Sequence, residues 1–349
     1  MIPLSLAVDE KGRFARTESA FRNFIQPGCA TFPPEKGRYH LYVCNACPWA
    51  CRCIVARNMK GLQDTIGLSV VHPTWQRTRP EDESDQHCGW VFRSPDDPPV
   101  SSAAGHGSFS CAGCIPDTVN GAKCVRDLYE LANDTIRKYS VPVLWDKKHK
   151  TIVNNESSEI LRILNSAFNA DGMCANPELD LYPEDLRKEI DSVNEWIYRD
   201  INNGVYKCGF SNTQEAYDEA ITALHAALER CEEILSKQRY LCGERFTEAD
   251  IRLFMTLVRF DDVYAVYFKT YCRNIREYPN IMDYCRELLQ MPGMEINFEH
   301  NKMHYYTSHA SLNPYAIIPR CPMTEKLMLQ PHSRDRFPGQ PIPLLQKAH

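Results

Sequence analysis

The chemistry of this sequence centres on Cys47, which stands where a predicted strand passes into a predicted helix. Residues 39–44 form a short, mostly apolar run typical of a buried strand, and Pro48 suits the first helical position because it has no N–H to leave unpaired. Unpaired backbone N–H groups and the positive end of the helix dipole stabilise a thiolate there. Because a thiolate is the nucleophile of thiol and disulfide chemistry, the pattern predicts a reactive Cys47.

Two further cysteines, Cys44 and Cys51, flank this position. Cys44 completes a C-x-x-C pair with Cys47, but the resolving cysteine of a thioredoxin-like site follows the nucleophile by three residues, where this chain has Ala50. We therefore predict one-thiol chemistry. A disulfide from Cys47 to Cys44 or Cys51 is the minority interpretation.

Length and charge limit the kinds of function. A chain of 349 residues is long enough for about two domains, each with its own core. A net charge of -5 without a basic tract predicts no nucleic-acid partner, and no apolar run approaches the roughly 20 residues that span a bilayer, which predicts no membrane partner. The N-terminus does not read as a signal peptide, so the sixteen cysteines are expected in a reducing, cytoplasmic compartment.

Strand and helix patterns alternate between residues 37 and 170, which predicts a small α/β domain after an N-terminal arm at 1–36. The predicted helices and strands of this domain are helices 48–60, 125–138 and 157–168, and strands 39–44, 66–71, 141–146 and 151–153. A stretch rich in Pro, Ser, Gly and Asp at 76–123 predicts a long insertion. Cys111 and Cys114 in it have half the spacing of a zinc ribbon, but the second pair is missing, so no metal is predicted.

The remaining sequence has helical patterns and predicts an all-helical domain at 171–319. Its predicted helices are 185–201, 213–236, 247–269 and 281–290. Thr247 and Asp250 form a capping box, which we interpret as structural. Residues 320–349 are rich in Pro and polar residues and are predicted to be a tail that lies on the surface or is disordered.

The order of these motifs resembles a cytosolic glutathione transferase. Cys-Pro-Trp-Ala begins a helix, Val141-Pro142 precedes a hairpin, Asn155-Glu156-Ser157-Ser158 precedes another helix, and an all-helical half follows. The segments 202–206 (NNGVY), 259–264 (RFDDVY) and 304–309 (HYYTSH) resemble the xi class, the glutathionyl-hydroquinone reductases. This resemblance implies an α/β thioredoxin-like N-terminal domain and an all-α C-terminal domain, and by analogy a homodimer.

The resemblance also implies that glutathione, as co-substrate, binds beside Cys47. Val141 would offer its backbone N–H and C=O to the cysteinyl part, from a Val-Pro bond that is typically cis in this fold. Glu156 and Ser157, at a helix start, would hold the γ-glutamyl end.

Two residues are implied as contacts to the other end of the tripeptide. One is Trp90 in the insertion, and the other is a basic residue just before the Val-Pro step. The family usually has Arg there, whereas Lys138 is the nearest match here, so the bidentate guanidinium would be lost. A further departure is Cys51, where the xi pattern usually has His.

The implied reaction removes glutathione from a quinol ring. The Cys47 thiolate attacks the sulfur of a glutathionyl-hydroquinone and releases the hydroquinone, and a second glutathione resolves the mixed disulfide. Tyr206, Tyr264 and Tyr305, the last preferred over Tyr306, are the matched phenols that would bind the ring oxygen and supply a proton.

Two other functions stay open on the sequence. An omega-like thiol transferase or dehydroascorbate reductase would share Cys47 without needing the three phenols. A noncatalytic scaffold of the same fold would recruit a protein partner through the insertion or the tail, but Cys47 with its glutathione-site residues argues against that function.

Overall fold

The structure is a computed structural model that describes residues 8–170, 172–320, 323–340 and 342–343. These residues form two compact units. The first comprises Thr17–Pro177 and Asn297–Pro319, and the second comprises Glu178–Ile296 with the described residues up to Arg16 and from Arg320 onward. The grouping differs from the predicted domain limits at residues 297–319, which the sequence assigned to the helical domain.

A four-stranded sheet in the order β2-β1-β5-β6 forms the centre of the first unit. Its strands are β1 (Tyr39–Val43), β2 (Gly67–Val70), β5 (Val143–Asp146) and β6 (Thr151–Asn154). β1 is parallel to β2 and antiparallel to β5, and β5 is antiparallel to β6. Every residue of β1 is buried, as expected for a central strand covered on both faces. All four strands lie within two residues of the predicted bounds, which confirms the α/β prediction.

Three helices accompany this sheet: α1 (Pro48–Met59), α2 (Val125–Leu131) and α3 (Ser157–Ser166). The prediction for α2 was wrong, because the helix ends at Leu131 and does not continue to residue 138. Asn133 and Arg137 have φ values of 56° and 59°, in the left-handed region that an α-helix cannot include.

The insertion has structure of its own. It contains a two-stranded antiparallel sheet, β3 (Gln76–Arg77) with β4 (Cys88–Gly89). A small apolar core joins the insertion to residues near the end of the first unit. It contains Val100, Phe109, Cys111 and Cys114 of the insertion with Met303 and Ala316. Both cysteines of the C-x-x-C pair are therefore buried among apolar side chains, and no group of His, Cys, Asp and Glu suited to a metal occurs among the described residues.

Helix α10 (Phe298–Ser308), which was not among the predicted helices, is attached to the start of the insertion. The hydroxyls of Thr307 and Thr74 lie 2.8 Å apart, and Ser308 Oγ accepts a 3.0 Å hydrogen bond from the N–H of Trp75. These bonds cross more than 230 positions of sequence and explain why residues 297–319 belong to the first unit.

The second unit is helical. Its helices are α4 (Arg187–Ile197), α5 (Gly204–Phe210), α6 (Gln214–Leu235), α7 (Glu248–Arg259), α8 (Ala265–Tyr267), α9 (Pro279–Leu289) and α11 (Met323–Met328). Two π-helical turns, Tyr198–Asn202 and Phe260–Tyr264, interrupt stretches that the sequence predicted as continuous helix. The capping box of Thr247 and Asp250 at the start of α7 is confirmed.

The described part of the C-terminal segment lies mostly on the surface, which is one of the two predicted alternatives, and a few buried side chains anchor it. Arg334 is fully buried, and its guanidinium donates to the carbonyl oxygens of Leu235, Gln238 and Arg239. Residues 321–322, 341 and 344–349 of that tail, and residues 1–7 of the arm, lie outside the described residues. Within the described chain, no helix has the length and apolar character needed to cross a membrane.

Candidate active site

Cys47 lies at the N-cap of α1, as predicted, with an extended backbone (φ -76°, ψ 116°) and Pro48 as the first helical residue. The residue is buried, with 8% of its surface exposed. Its Sγ lies 3.7 Å from the carbonyl oxygen of Val141, and the Val141-Pro142 bond is cis, as the resemblance implied. The first turn of α1 is Pro48, Trp49 and Ala50, none of them acidic, so no carboxylate of that turn competes for the helix start.

The neighbouring cysteines differ from Cys47 in their surroundings. Cys44 is fully buried, and burial raises the pKa of its thiol well above the ordinary value. Cys51 donates a 3.0 Å hydrogen bond from Sγ to the carbonyl oxygen of Asn45. No disulfide is present among the described cysteines, so the minority pairing is not formed in this structure.

Glu156 lies at the N-cap of α3, where its carboxylate faces hydrogen-bond donors. It accepts from the backbone N–H of Ser158 (3.2 Å), from the Ser158 hydroxyl (3.0 Å) and from the hydroxyl of Ser19 (3.1 Å). Burial opposes ionisation, but these hydrogen bonds and the charge of Arg52 outweigh it and hold the pKa of Glu156 below its ordinary value. Glu156 is therefore an anion at neutral pH. Ser19 was not found from sequence, because nothing local connects it to a helix more than 130 residues away.

Ser157 links the two helix starts. It is buried, and its carbonyl oxygen lies 3.6 Å from Sγ of Cys53, a residue of α1. The start of α3 is thereby joined to the second turn of the helix that Cys47 caps.

Trp90 packs in an aromatic group within the first unit. Its ring centroid lies 4.6 Å from that of His304 and 5.5 Å from that of Trp75. His304 is held in turn, because its Nδ1 lies 2.9 Å from the carbonyl oxygen of Pro73 and donates to it. The sequence singled out Trp90 but not Trp75, which has no motif of its own.

Lys138 contacts the N-terminal part of the chain. Its Nζ donates to the carbonyl oxygen of Thr17. The residue before it, Arg137, has the left-handed backbone described above and donates its N–H to the Asp134 carboxylate. Lys138 therefore lies in an irregular loop, whereas the sequence predicted that it would end a helix.

The second unit brings Tyr206 and Tyr264 together. Tyr206 lies on α5 and Tyr264 ends the second π-helical turn, and their ring centroids are 6.0 Å apart. Phe268 packs against both rings, at 5.5 Å from each centroid. Tyr264 is fully buried, whereas Tyr206 is partly exposed.

Tyr305 belongs to the first unit, on α10, and only 1% of its surface is exposed. Its ring lies 5.0 Å from that of His304 and 6.2 Å from that of His309. The alternative phenol, Tyr306, is also buried.

Two family models match this chain. The N-terminal domain of glutathione S-transferase matches residues 46–167, and the C-terminal domain of glutathione S-transferase matches residues 214–287. Both matched ranges contain elements described above, the first from Cys47 through α3 and the second from α6 through most of α9.

Several relatives match over nearly the whole chain. It is 43% identical to the glutathionyl-hydroquinone reductase YqjG of Escherichia coli over 93% of both proteins. It is 40% identical to the glutathione S-transferase omega-like 2 of Schizosaccharomyces pombe, over 89% of this chain and 94% of that protein.

Solved structures agree with these matches. The glutathione S-transferase xi of Phanerochaete chrysosporium superimposes with a TM-score of 0.80 at 45% identity, over 94% of this chain and 97% of that one. The glutathione-bound structure of Escherichia coli YqjG superimposes with a TM-score of 0.76 at 41% identity, over 91% and 97% of the two chains. The chain therefore belongs to the glutathione transferase family, and within it to the xi class of the glutathionyl-hydroquinone reductases.

Proposed function

We propose that this protein is a glutathionyl-hydroquinone reductase that uses glutathione as co-substrate and Cys47 as its nucleophile. The observation that carries the proposal is Cys47 at the start of α1, beside the carbonyl oxygen of Val141, in a chain 43% identical to YqjG. A thiolate at this position is stabilised by the N–H groups of the helix start.

The proposed site for glutathione consists of Trp90, Lys138, Val141, Glu156 and Ser157. Glu156 supports this role because it is an anion that can pair with the γ-glutamyl ammonium. The N–H groups at the start of α3 suit the γ-glutamyl carboxylate. The backbone of Val141 would pair with the cysteinyl part, and Trp90 and Lys138 would contact the glycine end.

The reaction proceeds in two steps, each of which is the attack of a thiolate on a sulfur atom. The Cys47 thiolate attacks the glutathionyl sulfur of the substrate in its keto form, an S–S bond forms, and the C–S bond breaks. Its electron pair leaves with the ring, whose oxygen is protonated to give the hydroquinone. The thiolate of a second glutathione then attacks the mixed disulfide, which releases glutathione disulfide and regenerates Cys47.

Tyr206, Tyr264 and Tyr305 are the proposed donors to the ring oxygen. A phenol that donates a hydrogen bond where negative charge develops lowers the barrier, and a phenol that gives up its proton completes the step. Tyr206 is partly exposed within its unit, which suits a residue that must meet a substrate.

Single-turnover mass spectrometry tests this function. The protein is incubated with one equivalent of glutathionyl-hydroquinone and no free glutathione, and we expect one glutathionyl group on the peptide that contains Cys47, with release of one hydroquinone. Cys47→Ser is the matched variant, and residual release of hydroquinone by it would remove Cys47 from the mechanism.

An omega-like thiol transferase or dehydroascorbate reductase is the second candidate, favoured by the 40% identity to the omega-like protein of Schizosaccharomyces pombe. Rates on a glutathionyl-hydroquinone and on a generic glutathione mixed disulfide separate the two functions. Faster turnover of the mixed disulfide, with Tyr206→Phe and Tyr264→Phe unchanged, would favour this second function.

We also propose that the protein is cytoplasmic and a homodimer. The dimer is proposed by analogy with the fold, and analytical ultracentrifugation of the full chain measures it.

A further inference from the structure

In the second unit, the N-terminal arm carries Arg16 onto the ring of Tyr206. The Cζ atom of Arg16 lies 5.3 Å from the ring centroid of Tyr206 and 5.3 Å from that of Phe14. These two rings are stacked, with centroids 6.2 Å apart and planes at 26°. A guanidinium at this distance from a ring face is attracted to the electron density of the ring.

Arg16 is also tied to the helix that carries Tyr206. Its Nε donates a 2.9 Å hydrogen bond to Oδ1 of Asn203. Asn203 is the N-cap of α5, three residues before Tyr206. The guanidinium of Arg16 therefore contacts both the stacked rings and the start of α5, and these contacts define its position relative to the phenol of Tyr206.

The arm before Arg16 is anchored independently. Arg13 forms an ion pair with Glu219 of α6, and the hydroxyl of Thr213 donates to the carbonyl oxygen of Lys11. At Gly12, where φ is +75°, an added Cβ would lie 2.1 Å from Oδ1 of Asn212. The left-handed backbone favours glycine here, and an added Cβ would also force the Asn212 side chain to move.

We infer that Arg16 is a positioning residue that makes Tyr206 a better proton donor, an inference that rests on the proposed function. When Tyr206 donates its proton to the ring oxygen of the substrate, its O–H bond breaks, a new O–H bond forms on the substrate, and an electron pair stays on the phenolate. The positive guanidinium beside the ring stabilises that phenolate.

The other rings around Tyr206 strengthen this effect. Phe210, Tyr264 and Phe268 lie with centroids 5.5 to 6.3 Å from it and exclude water from those sides. Because a charge acts more strongly where less water screens it, the guanidinium of Arg16 has a measurable influence on the phenol.

The test compares Arg16→Met, Arg16→Lys and the matched control Arg13→Met, which removes the same charge from the same arm. Full-length protein with ζ-¹³C-labelled tyrosine is titrated by NMR, with Tyr206→Phe to assign the signal. We expect Arg16→Met to move the ionisation midpoint of Tyr206 upward by about half a pH unit or more. Arg16→Lys should keep most of the wild-type midpoint, and Arg13→Met should leave it in place.

Kinetics on a glutathionyl-hydroquinone give the second readout. For Arg16→Met we expect kcat to fall about threefold with KM nearly unchanged, and the alkaline limb of the pH profile to move in the same direction as the NMR midpoint. Arg16→Lys should recover most of the lost kcat.

An unchanged midpoint in Arg16→Met, or an equal change in Arg13→Met, would overturn the inference. Full activity of Tyr206→Phe would overturn the catalytic part of it while leaving the reductase function intact. If the wild-type protein turns over no glutathionyl-hydroquinone, the proposed function fails, and the NMR comparison still decides whether Arg16 acts on the phenol.

Discussion

Cys47 and Cys124 both cap helices of the first unit, and the groups around them differ. Cys47 precedes a first turn of Pro48, Trp49 and Ala50. This turn contains no acidic side chain that could accept hydrogen bonds from the N–H groups of α1. Cys124 precedes α2, whose third residue is Asp127. The Asp127 carboxylate accepts hydrogen bonds from the N–H groups of Lys123 (2.8 Å) and Cys124 (3.0 Å).

The consequence for Cys124 is a thiol that stays protonated. Burial, and then the charge of Asp127, raise its pKa to about 11. The two sites teach that a helix start does not by itself make a cysteine reactive. The sulfur of Cys124 accepts from the backbone N–H of Asp127, yet burial and the Asp127 carboxylate outweigh that contact, whereas the first turn of α1 carries no carboxylate.

The comparison is tested most severely by removing each sulfur. Cys47→Ser should lower the turnover of glutathionyl-hydroquinone by about 10³-fold or more, because a hydroxyl does not form the mixed disulfide. Cys124→Ser should retain activity within about twofold, since its sulfur takes part in no step of the reaction. Chromatography of the released hydroquinone measures both. Comparable losses in the two variants would contradict the difference between the two cysteines.

Alkylation should separate the same two thiols without any substrate. At pH 7 a thiol with a pKa of about 11 is about one part in 10⁴ thiolate, so Cys124 should react with iodoacetamide about a hundredfold or more slowly than Cys47. Peptide mapping by mass spectrometry gives both rates in one sample. Glutathione should slow the reaction of Cys47 alone, and equal protection of both cysteines would contradict the proposed binding site.

An acidic residue at the start of α1 should make Cys47 resemble Cys124. Trp49→Glu places a carboxylate in the first turn, and we expect the alkylation rate of Cys47 at neutral pH to fall about three- to fivefold. Trp49→Gln is the control, because it also loses the contact of Arg52 with the Trp49 ring (4.5 Å) but adds no charge. Equal rates in the two variants would show that the charge of the first turn is unimportant.

The reverse change, Asp127→Asn, should have the smallest effect, on stability. Burial opposes ionisation of Asp127, but hydrogen bonds from the Cys124 N–H, Arg79 and the Lys123 N–H outweigh it and hold its pKa below the ordinary value. We expect Asp127→Asn to lower the free energy of unfolding at pH 7 by about 1 kcal/mol.

The sign of the pH dependence follows from the lowered pKa. The carboxylate contributes stability above the unfolded-state pKa of about 4, and that contribution is lost as the pH falls through the folded-state value. The difference between wild type and Asp127→Asn in urea unfolding should therefore shrink between about pH 5 and pH 3. A constant difference over that window would assign the effect to packing.

The start of α1 could be predicted from sequence because its signals are adjacent in the chain: an apolar run, then Cys47, then Pro48. The end of α2 could not, because Asn133 and Arg137 adopt left-handed backbones without being glycine. The π-helical turns were missed because i→i+5 turns are rare and both stretches have helical sequence patterns on either side.

The residues of the candidate site likewise fall into two groups, those that a local motif predicted and those that it did not. The cap positions of Cys47 and Glu156 were predicted from local motifs, and the cis bond after Val141 was implied by the family resemblance. The partners of those residues were not predicted. Ser19 beside Glu156, and Arg16 beside Tyr206, come from an arm whose path is set by contacts far away in sequence.

The attachment of α10 has a consequence for how the protein is made. Two hydrogen bonds join residues 74–75 to a segment that is synthesised more than 230 residues later. They are the bond between the hydroxyls of Thr74 and Thr307 and the bond from the Trp75 N–H to Ser308. On the ribosome, the sheet and its helices can assemble early. The first unit is completed only when α10 has been synthesised, after the whole of α9. A nascent chain stalled before residue 297 would expose the apolar surface that α10 covers, and exposed apolar surface of this kind promotes aggregation.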